Sequence, residues 1–271
     1  MEVIVEQLAL LFSITLFRYL FIAGVAFLIF YKLFPRRMKK NKIQGRSAGK
    51  ADFIREVGYS VTTSLIFAVI GFLVLYTPFK QYTLVYDQLD AFPWWYLPVS
   101  VVLSLVIHDT YFYWMHRLLH HRKIFRLAHL VHHKSTNPSP FASYSFHFIE
   151  SIAEGGILVL LPMVLPMHPL AIMLFIVIGF IINVYGHLGY EIMPRWVRHS
   201  FLFQVINTSV HHNLHHSKFK GNYGLYFRHW DRLRGTEHPD YVKEYDRVQA
   251  QRFARKKEEK ETQPAPASLR A

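Results

Sequence analysis

Four long apolar runs, Leu8–Phe34, Tyr59–Phe79, Trp94–Trp114 and Ile152–Val184, alternate with strongly charged connections and limit what this chain can fold into. A helix needs about 20 apolar residues to cross a hydrocarbon layer of about 30 Å, and each run is of that order or longer. The pattern predicts an all-α, multi-pass helical membrane protein. Hydrophobic residues make up 52% of the 271, yet there are 31 Lys and Arg, so apolar and charged residues must be segregated along the chain. The formal net charge of +13 could suit nucleic acid. Its basic residues instead flank the apolar runs and form no separate basic domain, which fits a membrane surface and excludes nucleic acid as a partner. Glu2 and Glu6 stand where a signal peptide would be basic, and the run that follows is too long for a cleaved leader, so the first span is expected to stay attached.

Charge asymmetry predicts the topology. The loop after the first run carries Lys32, Arg36, Arg37, Lys39, Lys40, Lys42, Arg46 and Lys50, whereas Gln81–Pro93 carries Asp87 and Asp90 and no Lys or Arg. By the positive-inside rule the first connection is cytoplasmic and the second is not. The third run enters at Trp94, Trp95 and Tyr96 and emerges into Arg117, Arg122, Lys123 and Arg126 on the cytoplasmic side. The fourth run is broken by Pro162, Pro166 and Pro169 and is read as a helical hairpin, crossing or re-entrant, with His168 at its tip and both ends cytosolic. Arg18 within the first run must either snorkel outward or face protein. Three parts are expected: 1–107, membrane spans and a basic cytosolic loop; 108–240, a histidine-box catalytic domain including the hairpin; and 241–271, a charged tail that begins as a fraying helix and becomes disordered. The membrane would be a bacterial plasma membrane or endoplasmic reticulum, with the site on its cytosolic face.

There is no cysteine, so disulfides and thiolate metal sites are excluded and any metal must be held by nitrogen or oxygen. Among the 17 histidines a pattern stands out. His116 and His120 stand at i and i+4 at the end of the third run, on one helical face. His129, His132 and His133 follow at i, i+3 and i+4, and His212, His215 and His216 repeat that spacing. His187 ends the hairpin, four residues before Glu191. These nine histidines are too many for one tetrahedral ion, and two neighbouring ions fit the count. The others have different expectations. His168 lies across the membrane from the boxes. His108, about 12 Å along the helix from His116, with Asp109, suits a supporting or pathway role. His121 is an alternative to His120 if the helix frays. His147 and His211 could orient ligand imidazoles, whereas His199, His229 and His238 read as ordinary polar residues.

The stretch His108-Asp-Thr-Tyr-Phe-Tyr-Trp-Met-His116-Arg, the two His-x-x-His-His boxes, and Asn222-Tyr-Gly followed by Trp230-Asp-Arg-Leu-Arg-Gly235-Thr together resemble the fatty acid hydroxylase/sterol desaturase superfamily. The resemblance covers about Ile107 to Pro239. The segments Pro138–His147 and Ile206–His216 look most like sterol C-5 desaturases. The resemblance implies a membrane anchor with a cytosolic cap holding two iron ions (Fe2+/Fe3+), ligated by His116, His120, His129, His132, His133, His187, His212, His215 and His216. Zinc may replace iron in purified protein, since imidazole accepts both. It also implies molecular oxygen, an electron donor such as a b-type cytochrome or ferredoxin, and a sterol or acyl lipid that is desaturated or hydroxylated. Two departures matter. Fatty acid hydroxylases have a second histidine where this chain has Glu191, leaving Glu191 a candidate ligand only, and sterol C-5 desaturases tend to have His at Tyr144. Hydroxylation of an acyl chain or carotenoid is the alternative reaction. A metal transporter would place its ligands at mid-membrane, whereas the boxes lie at span ends. Tyr111, Phe112, Tyr113 and Trp114 are read either as lining a lipid route or as helix packing.

Overall fold

The computed structural model describes residues 2–46 and 48–254. Its elements are helical throughout, and the described residues form no strand beyond isolated bridges. Helix α1 (Glu2–Phe27) runs into a π-helical turn at Leu28–Leu33, and Pro35 then starts the short α2 (Pro35–Met38) at the head of the basic loop. Helix α3 (Lys50–Tyr76) begins where the Gly49 N–H donates to the Asp52 carboxylate, and it stops before Pro78. Helix α4 (Tyr96–Leu119) leads to two single turns, α5 (Phe125–Ala128) and α6 (Leu130–His133). Next come α7 (Phe148–Gly155), α8 (Ile157–Val164) and α9 (Pro169–Gly186), then α10 (Phe201–Val205), α11 (Ser209–Lys218), α12 (His229–Leu233) and α13 (Tyr241–Phe253).

Among the described residues, three helices are long and apolar enough to cross a membrane: Glu2–Leu33, Lys50–Tyr76 and Pro169–Gly186. Large apolar side chains cover the outer face of α1, with Phe17 68% and Phe21 57% exposed. A helix with apolar residues all round, standing at the edge of its bundle, is suited to lipid and poorly suited to water. Trp94–Trp114 lies mostly within one continuous helix, α4, as long as a span but less apolar than those three, because Ser100, Ser104, His108, Asp109 and Thr110 dilute its apolar run. The first half of the expected hairpin is not one continuous helix. It is split between α7 and α8, and the 8 residues of α8 reach only about 12 Å. The split falls at Gly155 and Gly156, where Gly155 packs so closely on Ile70 that a Cβ would collide with it.

Helix α1 packs on α3, and α4 on α9. Tyr19, Ala23, Tyr144, Phe146, Phe180 and Val184 fill the space between α1, α9 and the segment before α7. A second core of Val101, Ile157, Leu161, Met167 and Phe175 joins α4, α8 and α9. The chain from Tyr241 also departs from expectation. Through Phe253 it is a packed helix and not a fraying one, because Tyr241, Tyr245 and Val248 at i, i+4 and i+7 are fully buried against Phe203, Val210 and Leu214. Each buried apolar side chain of that size contributes about 1.5–3 kcal/mol. The rest of the expected tail, from 255, lies outside the described residues.

Candidate metal centre

The site is assembled where α4, α6, α9 and α11 end or turn. The last turn of α4 carries His116, and His120 caps it. His129 caps α6, which carries His132 and His133. His187 caps the C-terminus of α9. Helix α11 carries His212, His215 and His216; the Thr208 hydroxyl accepts from His211 N–H at its start, and the Glu191 carboxylate accepts from Val210 N–H.

All nine box histidines meet in two adjacent groups. His116, His120, His129, His133 and His215 form one, and His132, His187, His212 and His216 the other, the ligating atoms within each lying within 4.8 Å of one another. Each His-x-x-His-His box is divided between the groups: His132 turns away from His129 and His133, and His215 turns away from His212 and His216. The rings of His133 and His216 are 5.0 Å apart, so the groups are neighbours.

Hydrogen bonds behind the rings determine which nitrogen faces inward. The Nδ1 atoms of His116, His187 and His215 lie 2.9, 2.9 and 2.7 Å from the carbonyl oxygens of Tyr223, Asn183 and Gly221. A carbonyl can only accept, so Nδ1 carries the proton and Nε2 is left as a bare lone pair. In the first group the Nε2 atoms of His120, His133 and His215 form a triangle with sides of 3.0–3.2 Å. In the second, those of His187, His212 and His216 form another with the same range. With one bare nitrogen in each triangle, every placement of protons on the other two leaves at least one contact of lone pair on lone pair or N–H on N–H. A cation among the three makes every contact attractive. The residues therefore fit a metal ion in each group. Burial also drives the imidazoles to the neutral form needed for ligation, lowering His187 and His215 to about 4 and His132, His212 and His216 further.

The other candidates lie around the groups. His108 Nδ1 is 2.9 Å from the Tyr226 hydroxyl. One Asp109 oxygen accepts from the backbone N–H groups of Leu225, Tyr226 and Phe227. Glu191 is fully buried, but it accepts from the Tyr185 hydroxyl and the Met193 and Val210 N–H groups and joins neither group. His211 is buried beside Asp231, at 3.9 Å, and stands against the Tyr241 ring, outside both groups. His121 is exposed and accepts from Lys123 N–H. His147 caps α7, accepting from Ile149 N–H. His168 caps α9 at the end opposite His187 and contacts the Asp87 carbonyl. Sequence reasoning missed Glu150, whose carboxylate is 2.6 Å from His129 Nδ1 with both side chains buried. Its signal was a carboxylate at the edge of an apolar run.

Beside the second group lies an apolar chamber of about 280 Å3 between α1, α3, α4, α8 and α9. Phe146 lines it, and the Phe146 ring is 5.1 Å from that of His132. Arg18 faces protein: its guanidinium donates to the Tyr144 hydroxyl at 3.3 Å on the chamber wall. Tyr111, Phe112, Tyr113 and Trp114 do not line the chamber. Phe112 and Tyr113 are buried in packing, and Tyr113 stacks on Trp230.

An all-helical protein with three helices long and apolar enough to cross a membrane, a buried pair of histidine groups that could hold metal and an apolar chamber beside them has the make-up of a metal-dependent enzyme of lipids. The model of the fatty acid hydroxylase family matches residues 101–236. Lathosterol oxidase of Mus musculus is 29% identical over 93% of this chain and 86% of that protein. A Delta(7)-sterol 5(6)-desaturase of Gibberella zeae is 29% identical over 78% of this chain and 62% of its own length. A cholesterol 25-hydroxylase-like protein of Danio rerio is 34% identical over 55% and 65%. No solved structure matches significantly. The chain belongs to the fatty acid hydroxylase family, and within it is a sterol-desaturase-like oxidoreductase.

Proposed function

We propose that the chain binds two iron ions through its nine box histidines and, with molecular oxygen, desaturates or hydroxylates an unactivated C–H position of a sterol. The observation that carries this reading is the pair of buried imidazole groups beside an apolar chamber. Iron supplies the activation of oxygen and the removal of hydrogen from an aliphatic carbon, chemistry that no side chain performs alone. The protein supplies position. Tyr223, Asn183 and Gly221 hold three ligand imidazoles in one tautomer through their carbonyls, and Glu150 holds His129. Phe146 stands between the chamber and His132, in place to set how near a lipid carbon can come. That placement decides between abstracting one hydrogen followed by hydroxyl transfer and abstracting two from adjacent carbons.

In this reading the three long apolar helices anchor the chain in a bacterial plasma membrane or endoplasmic reticulum, with the histidine groups toward the cytosol, where a b-type cytochrome or ferredoxin delivers electrons. Basic residues on α2 and around α5 are available to such an acidic donor. The names of the sterol desaturase relatives favour a sterol over an acyl chain or carotenoid. The test pairs metal analysis with lipid analysis. Protein produced with iron should hold close to two ions, with zinc able to replace them during purification, and the host lipids should gain an oxidised sterol only when the gene product is present. One ion per chain with full oxygen-dependent activity would overturn the dinuclear reading, and an oxidised acyl lipid or carotenoid in place of a sterol would overturn the substrate.

A further inference from the structure

The chamber is polar at one end only. Glu154 lines it, is 9% exposed, and forms no hydrogen bond or ion pair with any described residue. The other buried carboxylates, Glu56, Asp109, Glu150, Glu191 and Asp231, all have partners. Arg18 lines the same chamber, and its buried Nε has no partner. Leaving a buried polar group without a partner is costly, so the Glu154 carboxyl, unpartnered in an otherwise apolar wall, points to a ligand that completes it.

Both lie toward the histidines. Glu154 is one turn, about 6 Å along α7, from Glu150, the residue that touches His129. Arg18 is bonded to Tyr144, whose ring is 6.4 Å from that of Phe146, which in turn stands beside His132. Along α9 the chamber extends from Asn183, next to His187, to Pro169, about 21 Å away. At that far end Leu11, Val74, Leu75, Pro162 and Met173 offer no polar side chain that could hold a headgroup.

We propose that Glu154 is the polar anchor for a hydroxyl of the lipid, which enters the chamber hydroxyl-end inward with its apolar tail toward Pro169. A hydroxyl can donate to the Glu154 carboxyl oxygen or accept its proton in a hydrogen bond, whereas the end of a hydrocarbon chain does neither. The carbons presented to the histidines are then those within a few bonds of the hydroxyl, which on a sterol means ring carbons and not the side chain. This orientation rests on the sterol reading above and makes Glu154 a specificity-determining residue.

The test is equilibrium binding of two labelled probes, a Δ7-sterol with a free 3-hydroxyl and its 3-O-methyl ether, to the metal-loaded full chain in lipid nanodiscs. The protein should prefer the free hydroxyl by about tenfold, the scale of one buried hydrogen bond. Glu154→Leu should abolish the preference while leaving affinity for the ether and metal content unchanged. Glu154→Gln, which keeps an acceptor, should retain part of the preference. Equal affinity of the unmodified chain for both probes would overturn the anchor alone. Binding of neither probe, with an acyl lipid bound instead, would overturn the sterol reading as well. Should Glu154→Leu keep the full preference but lose turnover, Glu154 would serve proton movement and the anchor would be wrong.

Discussion

Histidines close in sequence have opposite surroundings in this fold, and their partners, not their spacing, separate donors from bystanders. His187 has its Nδ1 proton held by the Asn183 carbonyl and its Nε2 aimed at His212 and His216, whereas His168, at the other end of α9, caps the helix and touches the Asp87 carbonyl. His187→Ala should therefore lose the ion of the four-histidine group, about half the metal, and abolish turnover. His168→Ala should keep both metal and turnover. Metal analysis with product analysis checks the pair, and the reverse result would remove His187 from the ligand set. Glu150 supports a ligand without joining either group. Glu150→Ala should weaken metal binding in the five-histidine group by about 10–100-fold, because His129 loses the partner that orients its ring. Glu150→Gln should lie between, and equilibrium dialysis against a competing chelator reads the difference. The nine histidines of the two groups were legible in the sequence because i, i+3 and i+4 spacing is rare by chance. Glu150 was not, since nothing local links it to His129 across 21 positions.

At the scale of elements, the loop from Gly221 to Phe227 is held by two carboxylates on other helices. Asp109 of α4 accepts from Leu225, Tyr226 and Phe227 N–H, and Asp231 of α12 accepts from Tyr223 and Gly224 N–H. The same loop provides the carbonyls that hold His116 and His215. Asp109→Ala would leave three N–H groups without an acceptor, at about 1–3 kcal/mol each where water cannot replace it. The expected result is a melting temperature several degrees lower together with reduced metal content, and Asp109→Asn, which keeps one acceptor oxygen, should lose less of both. An unchanged melting temperature would mean that the loop does not depend on α4. Helices α4, α9 and α11 were readable from apolar length and histidine spacing. The break between α7 and α8 was not, because it follows from how closely Gly155 and Gly156 pack on Ile70 and Tyr111, contacts that only the assembled bundle creates.

For the whole molecule, the histidine groups lie at one end of the long helices and His168 at the other, so the membrane reading assigns them to opposite sides. Because the chain has no cysteine, single replacements make the test direct. Cysteines at the exposed positions Gln88 and His199 should react with an impermeant reagent from opposite sides of sealed vesicles; reaction from the same side would overturn the topology. The sequence by itself determined the helical class, the long apolar helices and the nine histidines that gather into the two groups, because apolar length and helical periodicity are local and survive without a partner. Tertiary structure alone decided how the donors divide into five and four, splitting both boxes, because that depends on where α6 and α11 cross the ends of α4 and α9. It also decided that Tyr241–Phe253 is a packed helix and that Arg18 faces a chamber and not lipid. Each of these rests on contacts between residues distant in sequence, which no window along the chain contains.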